Sequence, residues 1–347
     1  MQTHTKHVPF FHRPSTLVAL VILGGLITAA AIVIYTGRAN SVTVIGQMFN
    51  RVAAERGVRI MPAIAYGKGS RRVLDVYKPI RNPKRNPHAI PTDKSPIVLF
   101  LYGGSWQQGD RGLYRFVGTS LAKHGMTVVI PDYRLYPLVK FPKFVDDVAD
   151  AYRWTWTNLA VQKKGPPRPI IIMGHSAGAH MAALLTFDPI YFAKRNPDMA
   201  RPAAFIGLAG PYAFDPTTSP SVKMAFAGLK NPDEARPIAF AKNGGPPTLL
   251  LHGTADETVK LTNQREFAQA LETAGVKVEV HELNGIGHMG IVTAIAKPLR
   301  WRAPVIDIVT NFLIANNLLS KKMLRSATTA PRPQPATPVA PPAPPAP

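Results

Sequence analysis

The sequence predicts an α/β fold: a mainly parallel sheet with helices on both faces. Three observations carry that expectation. Short apolar runs recur, among them IVLFLY (97–102), PIIIMG (169–174) and PTLLLHG (247–253). They lack the polar alternation of a half-exposed strand, as strands buried on both faces do. Segments with helical spacing lie between many of them, such as FVDDVADAYRWTWTNL and NQREFAQALETAG. Strands alternating with helices in this way pair in parallel through helical crossovers. No internal repeat is present.

In chain order, residues 1–14 are a short tail carrying Lys6 and Arg13. Residues 15–36, STLVALVILGGLITAAAIVIYT, contain no charged side chain. At about 1.5 Å per residue, a helix of that length crosses a hydrocarbon core about 30 Å thick. The expectation is a single-pass signal anchor, with the large domain on the periplasmic or extracytoplasmic side. The alternative is a signal peptide cleaved near Ala29-Ala30-Ala31, with secretion. The apolar run continues beyond those alanines to Ile34, which favours the anchor. Residues 37–58 then form a juxtamembrane linker or helix, residues 59–320 the main domain, and residues 321–347 a tail. The tail is rich in Pro and Ala, cannot bury a core, and reads as disordered.

Within the main domain, RIMPAIAYG and RRVLDVYKP read as two strands joined at Gly67-Lys68-Gly69. A loop rich in Pro, Asn and Arg (82–96) precedes the strand IVLFLY. RFVGTSLAKHG is helical in pattern and stops at Gly125, and MTVVIPDYR is a buried strand. FVDDVADAYRWTWTNL is a helix, PIIIMG a strand, and a small-residue helix starts near Ala177. The strands AAFIGLAG and PTLLLHG, the helix NQREFAQALETAG, the strand KVEVHEL and the helix APVIDIVTNFLIANN complete the order.

Composition narrows the chemistry. The chain has 347 residues, 46% of them hydrophobic, enough for one large core. It has no cysteine, which excludes disulfides, thiolate nucleophiles and Cys-rich zinc sites. A formal charge of +21 favours anionic surfaces such as lipid head groups. No nucleic-acid motif is present, so no nucleic-acid partner is expected. No H-E-x-x-H or similar spacing occurs, so no metal is expected.

One serine stands out. Gly174-His175-Ser176-Ala177-Gly178 fits G-x-S-x-G once in the chain, at the junction of a buried strand and a helix. Gly-Ser-Gly clusters are also ordinary turn chemistry. The position decides between the two readings, because ligands of α/β sheets bind beyond the carboxyl ends of the strands. A serine hydroxyl needs a base, and the base a carboxylate to orient it. LLLHGTADETV puts Asp256 after a later strand, and VEVHELNGIGHMG puts His288 in a Gly-rich loop after the next. Glu257 is a weaker candidate than its neighbour Asp256. His175 is read as lining the site, His180 as helical, His252 as a strand end and His281 as structural or superficial. YGGSWQQGD (102–110) follows the first buried strand, and its glycines let backbone N–H groups approach an oxyanion. Gly103, Gly104 and Ser105 are candidate donors there, with the N–H of Ala177. Tyr102, Ser105 and Trp106 join His175 as residues expected to line the site.

Taken together, FLYGGSW, PDYRLYP, GHSAG, HGTAD and GIGHMG resemble the α/β-hydrolase carboxylesterases related to hormone-sensitive lipase. Within that superfamily the chain is similar to bacterial esterase/lipase-like and prenylcysteine-methylesterase-like proteins. The resemblance covers residues 59–317, with five separated motifs in order. It implies the α/β-hydrolase fold, a Ser176–Asp256–His288 triad, an oxyanion hole from Gly103, Gly104 and Ala177, a small-molecule ester as substrate, and no cofactor. Two positions depart from the pattern: Tyr102 replaces the usual histidine of H-G-G-G, and Leu138 the glutamate that ends D-Y-R-L-A-P-E. Neither is a triad member. Two rival functions share the fold: an amide hydrolase of the arylformamidase or peptidase kind, and a binding protein without turnover.

Overall fold

The runs buried on both faces lie in the middle of the sheet and the half-covered ones at its edges. The computed structural model describes residues 38–80, 95–196 and 198–321. Its strands are β1 (Val58–Ala65), β2 (Val73–Pro79), β3 (Ile97–Leu101), β4 (Thr127–Pro131), β5 (Ile170–His175), β6 (Ala204–Leu208), β7 (Thr248–Gly253) and β8 (Val278–Leu283). They form one eight-stranded sheet in the order β1-β2-β4-β3-β5-β6-β7-β8. β1 and β2 pair antiparallel across the predicted Gly67-Lys68-Gly69 turn, and β2 pairs antiparallel with β4. Every pairing from β4 onward is parallel. Every residue of β3 to β7 is buried, as the continuous apolar runs require. The edge strands β1 and β8 are only partly covered.

The helices are α1 (Arg38–Ala53), α2 (Arg115–Lys123), α3 (Lys143–Thr155), α4 (Ala177–Phe187), α5 (Ile190–Ala193), α6 (Thr262–Thr273), α7 (His288–Thr293) and α8 (Val305–Ala315). They pack in two groups. In one, Phe49 of α1 meets Phe116 of α2 edge-on, and the Ser120 hydroxyl of α2 donates to the Ile295 carbonyl just beyond α7. In the other, Phe187 of α4 meets Phe267 of α6 edge-on, and α3 packs against α4. α4 is wholly buried, and the small residues of its first turn, Ala177, Gly178 and Ala179, let it lie against the end of β3.

Two elements differ from the sequence reading. The helix predicted through FVDDVADAYRWTWTNL ends at Thr155 and continues as one π-helical turn, Trp156–Ala160. His288, expected in a Gly-rich loop, is instead the first residue of α7, whose Ile291 and Val292 are buried. Those two apolar side chains follow the glycines closely enough to pull the segment onto the core. The expected membrane anchor (15–36), the tail before it and the Pro/Ala-rich tail beyond residue 321 lie outside the described residues. Among the described residues no helix is long and apolar enough to cross a membrane.

Candidate active site

Ser176 stands between β5 and α4 with φ 55° and ψ −126°, a left-handed conformation that costs a non-glycine residue free energy. Its N–H donates to the Leu208 carbonyl at 2.9 Å, which holds the turn to the neighbouring strand β6. The flanking glycines are sterically required. A Cβ on Gly174 would lie 2.5 Å from the Gly178 backbone, and one on Gly178 would lie 2.1 Å from the Leu101 carbonyl oxygen. Both obstacles are backbone and cannot swing aside. We expect Gly178→Ala to lower stability by about 1–3 kcal/mol, the usual cost of overpacking, and to lower turnover with it. Urea unfolding and steady-state assay of the same preparation check this; wild-type values in both would contradict it.

The structure brings Ser176, His288 and Asp256 together, although 112 and 32 residues separate the bonded pairs. Ser176 Oγ lies 2.9 Å from His288 Nε2, and His288 Nδ1 lies 2.8 Å from Asp256 Oδ2. A carboxylate only accepts, so the imidazole proton sits on Nδ1 and Nε2 is free to accept from the serine hydroxyl. Asp256 Oδ1 accepts the backbone N–H groups of Thr258 and Val259, each at 2.9 Å. Burial raises the Asp256 carboxyl, but hydrogen bonds from His252, His288 and the Val259 N–H outweigh it and hold the group well below the usual carboxylate range. Glu257 is exposed, while the Asp256 side chain is fully buried.

Beside the serine runs the loop after β3. A Cβ on Gly103 would sit 2.8 Å from the Ser176 Cβ, so only glycine lets this backbone come so close. The N–H groups of Gln107 and Gln108 both donate to the Gly104 carbonyl at 3.0 Å, closing a tight turn. Gly104, Ser105 and Trp106 all have positive φ, at 136°, 53° and 58°. Ala177 opens α4, so its N–H has no intrahelical partner and points from the positive end of the helix. The expected donor Gly103 turns its N–H to the Tyr114 phenol instead, which leaves the Gly104 and Ala177 N–H groups as the candidates on either side of the serine for holding an oxyanion.

Four residues were expected to line the site, and the structure separates them. Tyr102 does not line it: its side chain is fully buried beneath the loop. Its hydroxyl donates to Asp132 at 2.8 Å and accepts from Arg71 at 2.9 Å, and its ring stacks on Tyr114 and Tyr133. A tyrosine there is drawn inward because a buried carboxylate and a guanidinium can satisfy its phenol. His175 is also buried, behind the base, and its Nε2–H donates to the His288 carbonyl at 3.0 Å. Burial first, and then the charge at His288, push His175 down to about 3, so it stays neutral. Trp106 is 2% exposed and packs among Phe144, His180, Phe214 and Phe226, a wall of rings behind the loop. Ser105 is exposed at the turn.

The remaining histidines are used elsewhere. His180, in α4, donates from Nε2 to the Ala235 carbonyl at 2.6 Å, and burial pushes it down to about 4. His281 pairs with Glu279 at 2.7 Å on the edge strand β8. Two sets of supporting residues were not anticipated. Asp132 gathers the Tyr102 hydroxyl, the Arg111 N–H and the Arg111 guanidinium, and the Tyr133 hydroxyl donates to the Tyr102 carbonyl at 2.8 Å. Their signal was the polar PDYR at the end of an apolar strand. His252, beside Asp256, is the other. Among the described residues no group of three or more His, Asp or Glu converges as a metal site would.

The profile of the alpha/beta hydrolase fold family matches residues 98–291. A probable isoprenylcysteine alpha-carbonyl methylesterase of Oryza sativa subsp. japonica is 28% identical over 262 residues, covering 70% of this chain and 60% of that protein. Esterase LipC of Mycobacterium tuberculosis is 28% identical over 246 residues, covering 65% of this chain and 58% of its own length. The chain therefore spans about three fifths of the length of these two relatives. The apo form of Thermogutta terrifontis esterase 2 superposes with a TM-score of 0.61 at 25% identity, over 76% of this chain and 97% of that one.

Proposed function

The chain belongs to the α/β-hydrolase fold family, and from that premise we propose that it is a serine hydrolase of small carboxylic esters. The observation that carries the proposal is the unbroken hydrogen-bond chain Ser176 Oγ–His288–Asp256 at 2.9 and 2.8 Å. In this reading Ser176 Oγ attacks the ester carbonyl while His288 Nε2 takes its proton. The N–H groups of Gly104 and Ala177 stabilise the oxyanion, and Asp256 stabilises the imidazolium. The tetrahedral intermediate collapses as His288 returns the proton to the departing alkoxide, leaving an acyl-serine. Water, deprotonated by His288, attacks that acyl group, and a second collapse frees the acid and regenerates Ser176. Esterase names among the relatives support esters over amides.

Two assays test it together. A fluorophosphonate probe is expected to label Ser176, and a panel of aryl esters of increasing acyl length to be hydrolysed well ahead of the matched anilides. Faster turnover of the anilides would assign the site to amides. Absence of both labelling and turnover would assign the fold to binding.

The proposal extends to location. The uncharged run at residues 15–36 supports a membrane anchor with the catalytic domain on the extracytoplasmic side. The full chain should need detergent for extraction, and a chain shortened to begin near Asn40 should stay in the aqueous phase and keep its activity. A mature N-terminus near residue 32, with release from membranes by salt alone, would replace the anchor with a cleaved signal peptide.

A further inference from the structure

His252 lies in β7, one residue before the strand's end, and its side chain is fully buried, as is that of Asp256. Its Nε2 is 2.9 Å from the Val259 carbonyl oxygen and 3.1 Å from Asp256 Oδ2. Both neighbours accept, so Nε2 carries the proton and shares it between them. Its Nδ1 is buried without a hydrogen-bond partner among the described residues. Oδ2 is the same oxygen that takes the Nδ1–H of His288. The carboxylate therefore has two donors on each oxygen: the Thr258 and Val259 amides on Oδ1, and two imidazoles on Oδ2.

We propose that His252 is a positioning residue of the triad, which holds the Asp256 carboxylate in the plane that His288 needs while the base moves its proton between Ser176 and the leaving group. The inference rests on the serine-hydrolase reading above. Asp256 sits on a turn whose residues 254, 255, 257 and 258 are exposed, and the turn's own hold on the carboxylate is through Oδ1. The backbone amides fix Oδ1. On Oδ2 one of the two donors is the working base, whose hydrogen bond changes as it gains and loses charge. His252 is the donor that does not change. By also binding the Val259 carbonyl it ties the turn back to β7. Its hydrogen bond is also the first of those that lower the Asp256 carboxyl, which keeps the proton on His288 rather than letting it pass to the acid.

The test uses the full chain and an aryl acetate. His252→Met keeps similar bulk and removes the donor; His252→Gln returns an N–H near the position of Nε2. Losing one hydrogen bond to a charged group is expected to lower kcat about 10- to 100-fold in the Met variant, with KM within about twofold. The Gln variant should remain within about threefold of wild type. In an Asp256→Asn background the Met change should cost less than about threefold, because the group it positions is gone. Equal kcat values for folded Met and Gln variants would overturn the inference, as would an undiminished Met effect in the Asn background. Should the Met variant fail to fold, His252→Asn, whose amide falls short of Asp256, takes its place with the same expected loss. A wild-type chain inert to both aryl acetate and fluorophosphonate would overturn the hydrolase reading and this inference together; an active wild type isolates the result to His252.

Discussion

Ser176→Ala is expected to reduce ester turnover by about 10³-fold or more while the domain stays folded, leaving the residue of rate that binding and an oxyanion hole supply. The change removes one oxygen from a partly buried side chain that makes no capping hydrogen bond, although Ser176 stands at the N-cap of α4. Its backbone role, the N–H to the Leu208 carbonyl, is kept by alanine. Alanine meets the same strain at φ 55° as serine does, so stability should hold. Turnover, fluorophosphonate labelling and circular dichroism on one preparation decide the matter. A folded variant that retains near-wild-type turnover would remove Ser176 from the mechanism.

Asp256→Asn is expected to lower kcat about 10⁴-fold, the size of the loss seen in a triad whose histidine is forced into the wrong tautomer. The surroundings dictate that tautomer here. Both carboxylate oxygens accept two N–H groups. An asparagine must place its NH₂ against one of those pairs. The Thr258 and Val259 amides are backbone and cannot become acceptors, so the amide oxygen stays with them. The NH₂ then faces the imidazoles, and His288 answers by moving its proton from Nδ1 to Nε2. A protonated Nε2 cannot accept from Ser176. KM should change little, since Asp256 is remote from the bound ester. Losses under tenfold would show that the tautomer is not controlled from this position.

The strands β3 to β7 could be read directly, because an all-apolar run such as IVLFLY or PIIIMG has no polar face to show to water. The hairpin β1–β2 followed from two apolar runs around Gly67-Lys68-Gly69. Ser176 was legible because two glycines flank it, and the Cβ clearances at Gly174 and Gly178 show why no other residue serves. Asp256 and His288 were legible as polar residues just past strand ends, where an α/β sheet gathers its chemistry. Each of these signals is local: the pattern and its cause lie within a few residues.

What remained hidden depends on contacts between distant segments. Tyr102 sits in the glycine loop beside Ser176, yet its ring turns inward, because Asp132 and Arg71 come from other strands and loops to meet its hydroxyl. His175 adjoins the nucleophile in sequence but serves the base, 113 residues away. His252 read as an ordinary strand end, and its tie to the triad appears only when the turn folds Asp256 and Val259 back over it. The start of α7 at His288 was masked by the glycines before it. Sequence by itself determined the buried strands, the nucleophile elbow and the order of the three triad residues, since burial and backbone conformation leave a periodic or steric trace in the chain. Which side chains face the reacting serine and which only support it was decided by the tertiary structure, because strand order and loop packing choose the partners of a polar group, and a polar group turns toward its partner.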